Sequence, residues 1–570
     1  MTAFILSYIR DRNPKDMGKR IIYQMLPRLW GNDTIRPKKN GTLTDNGTGK
    51  FSDIDTKTLQ YLKWLGCSHV WYTGIIRHST QAVENGCIPS NSQFVKGKAG
   101  SPYAICDYYD VNPYLADNPD KRMEEFEDLV RRTHEAGLKL IIDFVPNHVS
   151  RDYGKTVCTE GHPVLGRDDD KTVHWKAEND FYYYPGETLI LPTPPAKGEE
   201  PYNECPAMAT GNNCFTSCPG INDWYETVKI NYGDTHTETW DRMYDIIRFW
   251  ASKGVDGFRC DMVELVPPEF FTWMIDGIKS EYPHVIFIAE VYKKELYNKY
   301  IREVGFDLLY DKSGLYDRLR AIVEKNVNDD GMPVELWQST DGITRNWQFL
   351  GDLQPYMLNF LENHDEQRFA SDFFGKEAIN GIAPLYVSLC MNTASFMIYF
   401  GEEVGERGMN EEGFSGKDGR TTIFDWWSMA SIRRLRKLID SGEYSSLDSR
   451  ILIKHGLKKE EADAFINFAT AVRFAAEDEA IDKGCTYDLC YCNAGSEGFD
   501  KNRHYAFLRD HEEHTLLIVA NFSSKHAHIN LKIPSHAFEW LEIIENEDFN
   551  SRKTIDVDVA PYGCTVITLI

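Results

Sequence analysis

Two stretches decide the fold: Lys139-Leu-Ile-Ile-Asp143-Phe144-Val-Pro-Asn147-His148, and further along Val255-Asp-Gly257-Phe258-Arg259-Cys260-Asp261. Each is a continuous apolar run that ends on a carboxylate. Strands covered on both faces read this way, because neither side needs polar residues for water. Working outward, the same pattern recurs at Arg20–Leu26, His69–Thr73, Val285–Val291, Phe306–Tyr310, Tyr356–Leu361 and Ser395–Phe400. Helical stretches lie between. Arg122–Ala136 stops at Gly137, Thr235–Lys253 stops at Gly254, and Pro268–Lys279 opens on a proline suited to a first turn. Strands alternating with helices in this number predict an α/β chain of the (β/α)8 TIM-barrel type. A doubly wound open sheet shares the alternation, so repetition alone leaves both topologies standing.

At 570 residues the chain exceeds one core, and the pattern divides it. Residues 1–148 and 235–475 read as the two parts of the barrel. Residues 149–234 are rich in Gly, Pro, Asp and Tyr without helical periodicity, and read as a subdomain inserted after the third strand. From residue 476 the runs Thr515–Ala520, His528–Ile533 and Thr554–Val559 predict a C-terminal antiparallel β-sandwich. A net charge of −24 repels a phosphate backbone, which argues against nucleic acid as a partner. No run reaches the ~18 apolar residues of a membrane span. The stretch Met1–Ile9 lacks the basic start and small-residue end of a secretory signal, and an odd count of 13 cysteines fits a reducing compartment, so a cytoplasmic setting is expected. Oligomeric state is not legible.

Four of the predicted strands end in acid: Asp143, Asp261, Glu290, and the run Glu362-Asn363-His364-Asp365. One Asp after a strand is usually a helix cap or loop residue. Four on one barrel rim, accompanied by His148, His364 and Arg259, point to chemistry at the face where barrel active sites open. The set suits acetal cleavage, which by the retaining route needs an ionised carboxylate and a protonated one roughly 5–5.5 Å apart. Arg259 and Asp261 share a strand face, so the guanidinium is expected to keep Asp261 ionised. Glu290 lies between Ala289 and Val291, an apolar setting expected to keep it neutral as the acid. Asp365, with His148 and His364, is placed to grip sugar hydroxyls and oppose positive charge in the transition state.

These segments resemble the ordered motifs of the α-amylase family, glycoside hydrolase family 13. The forms D-x-x-x-N-H, G-F-R-x-D, a Glu after strand five and N-H-D are met by Asp143…Asn147-His148, Gly257-Phe258-Arg259…Asp261, Glu290 and Asn363-His364-Asp365. Tyr103 resembles the family tyrosine that stacks on the sugar. The resemblance implies Asp261 as nucleophile, Glu290 as acid/base and Asp365 as stabiliser. It implies Tyr103, His148, Arg259 and His364 as sugar-contacting residues, with Asp143 and Asn147 in support. The implied activity is retaining hydrolysis of α-1,4 bonds in starch-type oligosaccharide or polysaccharide. A transglycosidase or isomerase of the same family is the alternative, and a non-catalytic sugar-binding relative is disfavoured by the retained carboxylates.

Two departures bear on metal. Many α-amylases carry Lys-His after the nucleophile, where the histidine backbone helps bind calcium; here the pair is Glu264-Leu265. No cofactor and no metal site is therefore expected; calcium stays open as the alternative, with its usual site in doubt. Asp168-Asp-Asp170 reads as a solvated turn, and Cys158, Cys205, Cys214 and Cys218 lack zinc-type spacing and read as buried thiols. Val228-Lys229-Ile230-Asn231 resembles the P-K-L-N form found in neopullulanase-like enzymes, which act on small maltodextrins and tolerate 1,6 linkages.

Overall fold

The computed structural model describes residues 18–328, 334–409, 413–541 and 553–569; the Met1–Ile9 stretch lies outside them. Eight strands form the centre: β1 (Ile21–Met25), β2 (His69–Tyr72), β3 (Lys139–Phe144), β4 (Gly257–Cys260), β5 (Ile286–Ala289), β6 (Leu308–Tyr310), β7 (Met357–Phe360) and β8 (Ser395–Tyr399). All pairings are parallel and follow chain order, and β1 bonds to both β2 and β8, so the sheet closes into a barrel and the open alternative is excluded. Close packing of strands explains Gly257 at the head of β4. A Cβ there would lie 2.7 Å from Ile286 Cγ1 and 3.2 Å from Ile141 Cγ1.

Helices α1 (Arg122–Glu135), α2 (Glu238–Ser252) and α3 (Pro268–Glu281) pack outside the barrel. The first two are followed by Gly137 at φ +71° and Gly254 at φ +92°, left-handed values that a Cβ disfavours, and the chain turns back into a strand. Trp250 of α2 is fully buried and ties helix to loop by donating to the Tyr108 carbonyl at 2.8 Å.

Between β3 and α2 the described chain holds only short ladders. His148–Ser150 pairs antiparallel with Thr227–Lys229, and Tyr183–Tyr184 with Ala207–Met208. In the acidic turn Asp168 is exposed, its side chain 80% accessible, as a solvated turn predicts, while Asp169 is a staple. Asp169 accepts from the Asp180 and Phe181 amides at 2.8 and 3.0 Å and from the Tyr183 hydroxyl at 2.9 Å.

The long helix Lys459–Glu477 runs past residue 476, and the tail's first strand, β9, spans Cys485–Asp488. It joins β10 (His504–His511), β11 (His514–Asn521) and β14 (Cys564–Thr568) in a four-stranded sheet, while β12 (Ala527–Lys532) pairs with β13 (Thr554–Val559). One face of the larger sheet, with Leu508, Leu517 and Val519, shares a core with Ile529, Leu531 and Val557 of the smaller, which makes a sandwich. The other face, with Tyr505, Phe507, Leu516 and Ile518, belongs to the barrel's own core. No described helix is long and apolar enough to cross a membrane.

Candidate active site

Arg259 is completely buried at the barrel mouth and organises what surrounds it. Its Nη1 donates to Asp261 Oδ1 at 2.6 Å, its Nη2 lies 2.9 Å from Glu290 Oε1, and Nη1 is 3.8 Å from Asp143 Oδ1. One planar cation therefore bridges the carboxylates that follow β4 and β5. The rings of Trp71, Tyr103 and Tyr310 lie 5.4–5.5 Å from the guanidinium carbon, and the Tyr310 hydroxyl accepts from Nε at 3.3 Å. This aromatic wall lets a buried cation keep its charge and fixes its plane. Asp143 is held beside it by the Trp71 indole N–H at 3.1 Å and the Tyr103 hydroxyl at 3.3 Å.

One expectation about protonation and one about surroundings need correction. Burial pushes the Asp261 carboxyl well above the ordinary carboxylate range; Arg259 pulls it down, but Glu290 and Asp365 add to the rise. The guanidinium contact is made and is outweighed, because burial penalises the charged form. The Glu290 carboxyl, for its part, does not sit against apolar surface. Besides Arg259 it accepts from the Tyr292 hydroxyl at 2.6 Å and from the Met262 amide at 2.8 Å. The apolar neighbours in sequence point elsewhere along the strand.

Asp365 is the most open of the three, its side chain 44% exposed, on a cleft it shares with Arg420. Burial opposes its charge, yet His364 with Arg259 and Arg420 holds it at about 2. His364 Nε2 lies 3.1 Å from Asp365 Oδ2 and 2.6 Å from the Tyr103 hydroxyl. On the other side of the ring, Gln24 Nε2 is 2.8 Å from Nδ1 and also donates to Thr73 Oγ1 at 3.0 Å. His148 is buried and pushed down to about 3 by that burial, so it stays neutral, with the Trp224 ring 5.3 Å away. Tyr103, Asp143, Arg259, Asp261, Glu290, His364 and Asp365 are thus linked by direct contacts. His148 and Asn147 sit one hydrogen bond apart, at 3.0 Å, on the β3 side. Sequence reasoning missed Gln24, Trp71, Tyr292 and Tyr310. Only Tyr292 carried a signal, its position two residues after Glu290.

The position where the resemblance implies calcium can be tested on its oxygens. Lys229 Nζ donates to Asn147 Oδ1 and to the Leu265 carbonyl at 2.8 Å. Burial pushes this ammonium down to about 7. A lysine between the same two oxygens does not fit a divalent cation, which needs six to eight oxygen ligands. Glu264 is used elsewhere, accepting from the Tyr292 and Lys293 amides at 2.6 and 2.7 Å. In the insertion, Cys158, Cys205 and Cys218 are exposed free thiols and Cys214 is half-buried, contrary to the expected burial.

A closed barrel whose mouth gathers carboxylates around one arginine is the architecture of a glycoside hydrolase. Residues 35–446 match the family described as alpha amylase, catalytic domain, and residues 499–566 match the maltogenic amylase C-terminal domain. The chain belongs to the α-amylase family. An oligo-1,6-glucosidase of Bacillus cereus is 21% identical over 96% of this chain and 98% of that protein. A cyclomaltodextrinase of Geobacillus thermopakistaniensis is 20% identical over 95% and 75%. Other relatives match over less. An alpha-1,4-glucan:maltose-1-phosphate maltosyltransferase of Cereibacter sphaeroides is 26% identical over 50% of this chain, which spans 34% of that protein. Among solved structures, a maltogenic alpha-amylase of Thermotoga neapolitana covers 96% of both chains at TM-score 0.57 and 19% identity, a likeness of fold.

Proposed function

We propose that this chain is a retaining α-glucan hydrolase acting on α-1,4-linked oligosaccharides. The observation that carries the proposal is Arg259 bridging Asp261 and Glu290 at 2.6 and 2.9 Å, which holds two carboxyls on one side of a guanidinium. Asp261 attacks the anomeric carbon and forms the glycosyl-aspartate bond as the glycosidic C–O bond breaks. Glu290 gives its proton to the departing oxygen, then takes one from the water that cleaves the intermediate. The coupling between the carboxyls suits this division. Once Glu290 carries the proton, its repulsion of Asp261 vanishes, and Arg259 then stabilises the Asp261 anion against burial and Asp365 alone. Asp365, ionised and open to the cleft, opposes the positive charge of the transition state. Tyr103, His148 and His364 would contact the sugar.

Lys229 supports catalysis without calcium, since its ammonium already serves the oxygens a metal would need. Thirteen free thiols support a reducing, cytoplasmic setting. Tolerance of 1,6 bonds is a second reading, favoured by the full-length similarity to an oligo-1,6-glucosidase. The test is separate incubation with maltodextrin, pullulan and isomaltose, with NMR of the first anomer released. Shorter sugars appearing as α-anomers support the proposal. β-Anomers, or longer chains in place of shorter ones, overturn it.

A further inference from the structure

The smaller sheet of the C-terminal sandwich carries a cluster unrelated to sugar chemistry. Along β12 and β13 the apolar residues Ala527, Ile529, Val557 and Val559 face the sandwich core, so the alternate positions face outward. His526 and His528 are therefore on the same outer side, two residues apart, and the strand register sets Asp558 directly opposite His528. One ligand atom from each of the three lies within 4.8 Å of the others. The His528 Nδ1 contacts Asp558 Oδ1 directly, the His526 and His528 rings are 4.6 Å apart between centroids, and the side chains of His528 and Asp558 are 77% and 72% exposed.

We propose that His526, His528 and Asp558 form a surface site for a borderline transition-metal dication of the zinc type. Imidazole nitrogens with one carboxylate are the donors such ions select, and hard cations such as calcium would want more oxygen. The antiparallel ladder presets the cross-strand pair, so binding orders little more than the side chains. Three protein ligands leave a coordination position open to water. The site is in the C-terminal sandwich, and the reaction proposed at the barrel mouth does not use it.

The test is titration of the full chain with zinc chloride at pH 7.5 by calorimetry, with exposed thiols first alkylated. One equivalent should bind. His528→Ala and Asp558→Asn, both at exposed positions that leave the fold intact, should each weaken binding at least tenfold while glycosidase activity is unchanged. Cobalt in place of zinc should give weak visible d–d bands without thiolate charge transfer. No binding, wild-type affinity in either variant, or a thiolate charge-transfer band overturns the assignment.

Discussion

Asp261 is pulled two ways, upward by burial and by two neighbouring acids, downward by Arg259. A carboxyl raised in this way must lose its proton before it can attack, so activity should rise with pH through a limb above the ordinary Asp value of ~3.9. Asp365, held at about 2, is ionised throughout that range and contributes nothing to the limb. The kcat/KM profile should be bell-shaped with its acid side set by Asp261, and an acid limb at pH ~3 or lower would point to another nucleophile. Asp261→Ala should lower turnover of natural glucans by about 10⁴-fold or more while leaving sugar binding measurable. Azide with an α-glycosyl fluoride should then enter the vacated space and give the β-glycosyl azide. Recovery of the α-azide would place the nucleophile elsewhere. The placement of these carboxyls was legible because Asp261, Glu290 and Asp365 each follow a strand whose apolar run is plain. The protonation balance was not, because it sums groups from different strands that meet only when the barrel closes. Gln24 was equally invisible: nothing around Ile22 or Met25 marks it as the partner of a histidine 340 positions away.

At the scale of elements, the return strand Thr227–Lys229 of the insertion does more than pair with His148–Ser150. Through Lys229 it joins the loop after β3 to the loop after β4, which places three segments around one ammonium. Prolonged chelation with EDTA should therefore leave both activity and Tm unchanged. Lys229→Met orphans one buried and one half-buried oxygen and should cost about 2–4 kcal/mol, read as a lower denaturation midpoint. The barrel strands were readable, each within a residue or two of its observed ends, because continuous apolar runs are what parallel burial requires. In the tail, β10 escaped because Arg509 and Asp510 interrupt its apolar pattern. Arg509 is buried even so, its guanidinium donating to the carbonyls of Ala480 and Ile481 at 3.0 and 2.8 Å. A strand that spends its charges inward does not announce itself by alternation.

For the whole molecule, the two faces of the β9-β10-β11-β14 sheet have different owners. One closes the sandwich and the other finishes the barrel core, where Phe507, Leu516 and Ile518 are all but fully buried. Polar contacts reinforce the seam: Thr344 and Tyr505 meet at Asp488, and Thr340 bonds to the carbonyls of Lys501 and His504. Calorimetry should give one unfolding transition rather than two, and truncation after residue 484 should yield aggregated rather than active protein. A soluble, active barrel lacking the tail would refute the shared core. The same sheet limits how this enzyme can be recombined. A C-terminal module grafted from a cousin would arrive with a foreign inner surface, so a working chimera must carry over the matching barrel wall as well, and the true unit of exchange is larger than the tail.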